Sequence, residues 1–274
     1  MESFLSFFEQ MPTWHRLVWV GVCLSAGWLA EINRPLFRFD GPRAAHARAN
    51  LTLLITLAAF GAVIGTATVA LFHWVERHEI GLLYLVDWPL WVELLVALLL
   101  LDLVAQYLAH FLLHKTGWLW RFHVIHHNDR MVDATTGTRL HPGDYLVREV
   151  FALSTVMIVG VPLAFYMFYR FLTVFFTYAT HANIDMPRSL DRTLAFVFVT
   201  PNMHKFHHHF ELPWTDSNYG NIFSVWDRAF GTLVYDDVER IRYGLNALDE
   251  GREDDALHQL RLPFRRRVES KTTL

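Results

Sequence analysis

Cysteine is nearly absent: Cys23 is the only one in 274 residues. An internal disulfide is therefore excluded, and so is any metal cage built from thiolates. Charge of either sign is sparse as well. Lysines and arginines number 24 against 27 acids, a formal net charge of −3, so bulk charge does not point to nucleic acid as a partner. No signal-peptide cleavage pattern, low-complexity tract or linker interrupts the chain.

What the chain has instead is apolar length. Hydrophobic residues make up 53% and aromatics 15%, and mean hydropathy is +0.22. Apolar runs at about 17–32, 51–75, 88–110 and 145–180 are read as membrane spans. The last is too long for one crossing, and Val161-Pro162 in its middle predicts a hairpin of two short spans. Arg170 lies inside its second half and requires a partner or a route to the interface. The segment 33–50 carries Arg34, Arg38, Arg43 and Arg48 against the single acid Asp40, whereas 76–87 carries one arginine and three acids. This asymmetry places the arginine-rich side, with 111–144 and 181–274, in the cytoplasm. The expected fold is an all-α integral membrane domain spanning 1–274. About four transmembrane helices, in two hairpins, carry a cytoplasmic helical cap.

Histidine is the abundant exception, with sixteen copies. His110-Phe-Leu-Leu-His114 is followed by His123-Val-Ile-His126-His127, and His204-Lys-Phe-His207-His208-His209 comes late. Residues three or four apart share a helix face, so each box aims two or three imidazoles at one point. At this histidine frequency an HxxHH is expected roughly 0.05 times in a chain of this length, so two are not a product of composition. His141, in Leu-His-Pro-Gly-Asp, and His181, in Thr-His-Ala-Asn-Ile-Asp, join His110, His114, His123, His126, His127, His204, His207 and His208 as candidate metal ligands. His209 is off the face of its box and is left out.

Ten imidazoles are too many for one four-coordinate zinc, and suit two ions with four or five nitrogens each. No glutamate follows the first histidine of a box, which excludes the HExxH arrangement, and the Glu-x-x-His motif of soluble di-iron bundles is missing too. An all-imidazole pair of open-shell metals beside a bilayer suits dioxygen activation on a lipid chain, whose C–H bonds offer no purchase to acid–base catalysis. The competing class is a non-redox membrane metalloprotein such as a zinc-dependent hydrolase. Asp102, spaced by fours with Gln106, His110 and His114, is the carboxylate expected to orient a ligand imidazole. Asp185, four residues after His181, is placed either at the metal site or as a cap on Pro187-Arg188-Ser189.

The order HxxxH, HxxHH, His181-Ala-Asn183 and Thr200-Pro-Asn-Met-His204-Lys-Phe-His207-His208 resembles the fatty acid hydroxylase/sterol desaturase superfamily. Arg139-Leu-His141-Pro, Asn218-Tyr219-Gly220 and Trp226-Asp227-Arg228-Ala-Phe230-Gly231-Thr232 extend the likeness. The resemblance implies a membrane oxygenase with two iron ions (Fe2+/Fe3+) that hydroxylates or desaturates a sterol, fatty acid or related lipid. It implies dioxygen as co-substrate and an external electron donor, a b-type cytochrome or a ferredoxin with its reductase. It assigns the box histidines and His181 as ligands and adds Asn183 to the residues supporting them. A multi-pass protein of a bacterial inner membrane or endoplasmic reticulum is expected. Gly143-Asp144 departs from the glutamate that relatives often carry after the His-Pro pair.

Overall fold

The structure, a computed structural model, describes residues 2–39, 41, 43–245 and 251–265. Asp40 and the stretches 246–250 and 266–274 of the expected cap lie outside the described residues. Helices dominate, with no strand among the described residues beyond two isolated bridges, Pro35 to Ile184 and Phe198 to Phe223.

A short helix α1 (Glu2–Glu9) precedes α2 (Thr13–Asn33), which starts directly after Pro12, where a missing N–H costs nothing. Then come α3 (Arg43–Arg77) and a long third helix whose α-helical parts, α4 (Leu90–Leu101) and α5 (Ala109–Lys115), are joined by a π-helical stretch over Asp102–Leu108. α6 (Gly117–His127) follows at once. α7 (Pro142–Val159) and α8 (Leu163–His181) form the hairpin expected at Val161-Pro162. Gly160 takes the left-handed cap position at φ +78° that a side chain would resist. At 18 and 19 residues these two helices run about 27–28 Å, close to the roughly 30 Å of a hydrocarbon core. Shorter helices finish the chain: α9 (Arg188–Leu194), α10 (Pro201–His207), α11 (Val225–Ala229) and α12 (Ala256–Arg261).

One apolar cluster binds the third helix to the hairpin. Ala97, Leu101 and Ala105 pack with Val156 of α7 and with Phe165 and Tyr169 of α8. α2 lies against α8, where Trp19 stacks on Phe171 with ring centroids 4.0 Å apart and donates its Nε1–H to the Phe171 carbonyl. At the end remote from the histidines, the turn after α3 presses so closely on the α7–α8 turn that a Cβ on Gly81 would sit 2.1 Å from the Gly160 nitrogen.

The outward faces are apolar. Val63 is 74% exposed, and Leu29, Ile32 and Ile55 are exposed with it. The runs Arg43–Leu85 and Leu90–Lys115 are long and apolar enough to cross a membrane. Arg170 finds the partner its position demands: its guanidinium lies 3.6 Å from the buried Glu149 and near the rings of Tyr145 and Tyr166.

Candidate metal centre

Four elements bring nine histidines to one end of this bundle. The third helix carries His110 and His114, α6 carries His123, His126 and His127, α8 ends on His181, and α10 with its cap supplies His204, His207 and His208. α10 starts where the sequence dictates: the Thr200 hydroxyl accepts from Met203 N and Pro201 fills the first helical position. The next side chain, Lys205, is buried on the opposite face and donates to the Ala182 carbonyl just past His181, tying α10 to the end of α8. Burial pushes its amine down to about 7.

The nine imidazoles divide into two groups able to hold a metal ion. His110, His114, His123, His127 and His207 form one, and His126, His181, His204 and His208 form the other. Within each, the donor atoms lie within 4.8 Å of one another. None of the nine is more than 5% exposed. Burial and the neighbouring imidazoles hold His126, His127, His204, His207 and His208 neutral, well below the ordinary histidine range.

Hydrogen bonds at the outer nitrogens fix where the lone pairs point. His110 Nδ1 faces the Tyr219 carbonyl at 2.9 Å, His207 Nδ1 the Ser217 carbonyl at 2.7 Å, His181 Nδ1 the Thr177 carbonyl at 2.7 Å, and His126 Nδ1 the Arg139 carbonyl at 3.3 Å. His123 Nδ1 meets Asp144 at 2.5 Å and His114 Nδ1 meets Asp216 at 3.2 Å. Every one of these partners only accepts, so the proton sits on Nδ1 and each Nε2 is a bare lone pair. Yet the Nε2 atoms of His110 and His123 lie 3.0 Å apart, and those of His126 and His181 3.1 Å apart. Two lone pairs cannot hydrogen-bond to each other. The Nε2 atoms of His204 and His208 likewise lie 3.0 and 3.2 Å from that of His181, and the Nε2 of His207 is buried without any hydrogen-bond partner. Converging lone pairs with no proton between them are what a bound cation requires, so the residues fit two metal ions.

Several expected residues stand elsewhere. His141 joins neither group: it precedes α7 as its cap, accepting from Gly143 N at 2.8 Å through Nδ1, while Nε2 faces the Leu260 carbonyl at 3.2 Å. In its run it is the Arg139 carbonyl that meets one of the nine imidazoles, His126. The guanidinium is fully buried and donates to the carbonyls of Ile125 and Glu253 and to the Asn50 side chain. Asp102 does not touch an imidazole. It accepts from Ile222 N, Phe223 N and Trp226 Nε1. It stands eight residues before His110, about two turns along the third helix, where the 222–226 segment takes up its oxygens. Asp185 is exposed, and its backbone N–H donates to the Arg34 carbonyl while α9 begins without a side-chain cap. Asn183 holds Phe37 through both backbone groups, which fixes the segment after α2 rather than a ligand. His209 accepts from Arg242 N, outside both groups.

The carboxylates that do meet the nine imidazoles are Asp144 and Asp216. Asp144 is fully buried, is paired with Arg148 at 2.8 Å, and through it is linked to Gln106. The i, i+4 spacing of Asp144 and Arg148 at a helix start is a signal the sequence carries; nothing local announces Asp216. Asp227 does parallel work nearby. It accepts from Tyr219 N, Gly220 N and the Thr232 hydroxyl, and burial pushes its carboxyl up to about 6. Gly220 must be glycine, because a Cβ would lie 2.7 Å from the Phe223 carbonyl oxygen. Asp102 and Asp227 thus clamp from two sides the loop whose Ser217 and Tyr219 carbonyls receive His207 and His110.

Comparison with known proteins identifies the family. A family model described as fatty acid hydroxylase matches residues 94–232, a stretch holding all nine histidines. The chain is 32% identical over 148 residues to an ornithine lipid hydroxylase of Rhizobium tropici, covering 54% of this chain and 43% of that one. It is 26% identical over 127 residues to an alkylglycerol monooxygenase of Caenorhabditis elegans, covering 46% of this chain and 24% of that one. A cholesterol 25-hydroxylase-like protein of Danio rerio is 29% identical over 189 residues, 66% of this chain and 72% of its own. The match thus spans less than half the length of the first two relatives. No solved structure matches significantly.

Proposed function

Because the chain belongs to the fatty acid hydroxylase family, we propose that it is a membrane-embedded, dioxygen-dependent lipid oxygenase whose two imidazole groups each hold an iron ion. The observation that carries this reading is the pair of buried groups, five and four imidazoles, with bare lone pairs turned inward. Bound iron would supply the oxidising power to remove hydrogen from an unactivated C–H bond, which no side chain has.

The chain's own residues supply the rest. Asp144 and Asp216 hold the Nδ1 protons of His123 and His114 away from the centre, which keeps Nε2 a donor and raises its basicity. The Ser217 and Tyr219 carbonyls do the same for His207 and His110. Close packing keeps bulk water from the imidazoles, so a reactive centre is not quenched by solvent.

Substrate and setting follow from the apolar exterior and the relatives. The exposed aliphatic faces of α2 and α3 support membrane immersion, and helix lengths support four spans or hairpin halves within one domain over 1–274. The four arginines before and at the start of α3 support a cytoplasmic position for the histidine end. The substrate is a lipid with a long apolar portion that enters from the bilayer. Hydroxylation is favoured over desaturation because the similar proteins are named hydroxylases and monooxygenases. Electrons come from a separate donor, a b-type cytochrome or a ferredoxin with its reductase.

The test is anaerobic purification with metal analysis, followed by incubation of membrane lipids with reductant and isotopically labelled dioxygen. Two irons per chain and a lipid product carrying the labelled oxygen are expected. Metal content untouched by His126→Ala and His207→Ala, or a product formed without dioxygen, refutes the proposal.

A further inference from the structure

The cap carries an apolar surface that the metal centre does not use. In 190–198 and the following motif, Leu190, Leu194, Phe196, Val197, Phe198 and Phe230 are all exposed, Phe196 to 69% and Phe230 to 59%. Six large apolar side chains gathered in two joined loops mark an interaction surface rather than scatter.

Two aromatic stacks fix its position along the bundle. Phe198 stacks on Phe176 of α8 with centroids 5.5 Å apart, and Phe176 lies five residues, about 7.5 Å, before His181. Phe230 stacks on Tyr107 of the third helix at 5.1 Å, three residues before His110. Both loops therefore reach down the outside of these helices, below the level of the histidines. Their apolar side chains continue the exposed faces of the helices themselves, where Phe175 and Leu108 also point outward. Backbone bonds hold the two loops together: Val199 N donates to the Ile222 carbonyl, Ser224 N to that of Val197, and the Ser224 hydroxyl to that of Ala195.

Cations border the patch. Arg228 lies over the Phe196 ring at 5.3 Å and donates to the Ala195 carbonyl. Arg192 lies over Tyr235 at 6.0 Å, and Arg188 pairs with Asp237 at 2.8 Å. An apolar face edged by arginines is the composition of a segment lying in a membrane interface, apolar side in the acyl boundary and guanidinium groups at phosphate depth.

We propose that 190–198, with Phe230, is an interfacial wedge that inserts into the lipid of the membrane the helices cross, and that Arg192 and Arg228 contact its anionic headgroups. The wedge rests on the membrane reading above and adds to it a second, peripheral attachment of the cap. It places acyl chains directly beside the helices that carry His110 and His181, on the side where a lipid would approach the centre.

The single cysteine makes the test direct. In a Cys23→Ser background, Phe196→Cys, Val63→Cys and Arg240→Cys are each labelled with bimane. The full chain is then reconstituted in vesicles of brominated phosphatidylcholine and phosphatidylglycerol. The Phe196 label is expected to lose fluorescence as the Val63 label does and to resist aqueous iodide, while the Arg240 label shows the reverse. Adding Arg192→Glu and Arg228→Glu is expected to reduce the loss at Phe196 in anionic vesicles. A Phe196 label that behaves like Arg240 while Val63 is quenched overturns the wedge alone. A Val63 label that is not quenched overturns the membrane reading and the wedge with it.

Discussion

Replacing Asp144 by asparagine tests how the outer hydrogen bonds govern the centre. The carboxylate is fully buried between His123 Nδ1 at 2.5 Å and Arg148 Nε at 2.8 Å. Asparagine keeps the shape, removes the charge and can offer an N–H to His123. The imidazole then carries its proton on Nε2, pointed at His110 and His127, and is lost as a donor to the five-histidine group. Loss of such an outer partner costs roughly 10–100-fold in metal affinity, or about 1.4–2.7 kcal/mol. A second cost falls on folding. Arg148 is left without its carboxylate, and about 3 kcal/mol is expected, the low end for a broken buried pair, because Arg148 keeps Gln106 and is partly exposed. Titrating metal-free protein with Co2+ separates the two costs, since spectra report ligation and thermal melts report stability. One site should weaken, while the site of His126, His181, His204 and His208 titrates as before. If both sites keep the affinity of the unsubstituted protein, the argument that outer acceptors set the donor nitrogens is wrong.

Other outcomes follow from the same geometry. His141→Ala should leave metal content unchanged and cost about 2 kcal/mol in a thermal melt, because the cap of α7 and the bond to the Leu260 carbonyl are lost; measurable loss of metal would return His141 to the ligands. Asp102→Ala strands three donors, at about 1–3 kcal/mol each, and should lower the melting temperature far more than Asp102→Asn, which retains an acceptor. Metal-free protein should lose stability on acidification. The buried imidazoles have folded values below their unfolded value near 6.5, so the unfolded chain takes up protons first. Stability is full above that pH and declines below it, by about 1.4 kcal/mol per pH unit for each histidine still neutral in the fold. Melts between pH 7.5 and 5.5 check the sign, and His208→Gln should flatten the slope.

The candidate ligands could be read from the chain because helical spacing is a local property. HxxxH and HxxHH say which side chains share a face, and α5, α6 and α10 honour that reading. The α7–α8 hairpin was legible for a similar reason, since Val161-Pro162 breaks an apolar run too long to cross once. What spacing does not contain is the neighbour that a face will meet. Asp216 reaches His114 across 102 residues of chain, and no local pattern marks it. Asp102 stands about two turns before His110 on the third helix, and the Ile222 backbone that it meets lies 120 residues further along the chain, which spacing does not reveal. His141 sits before a proline, and its side chain serves the start of α7, a use as compatible with the sequence as ligation.

Burying nine imidazoles whose lone pairs face one another is unfavourable for the polypeptide alone, since each bare nitrogen forgoes the water it would bind when unfolded. Bound metal ions would reverse the sign of that term, coupling binding to folding at this end of the bundle. The loop from Ser217 to Asp227 bears most of the coupling. Its carbonyls fix His207 and His110, and it is itself held by Asp102 from the third helix and by Asp227. A carboxylate more than one turn from the nearest histidine therefore acts on the imidazoles of His110 and His207 through backbone it orders, not through contact. The motif around Trp226-Asp227 thus belongs to the centre even though none of its side chains meets one of the nine imidazoles.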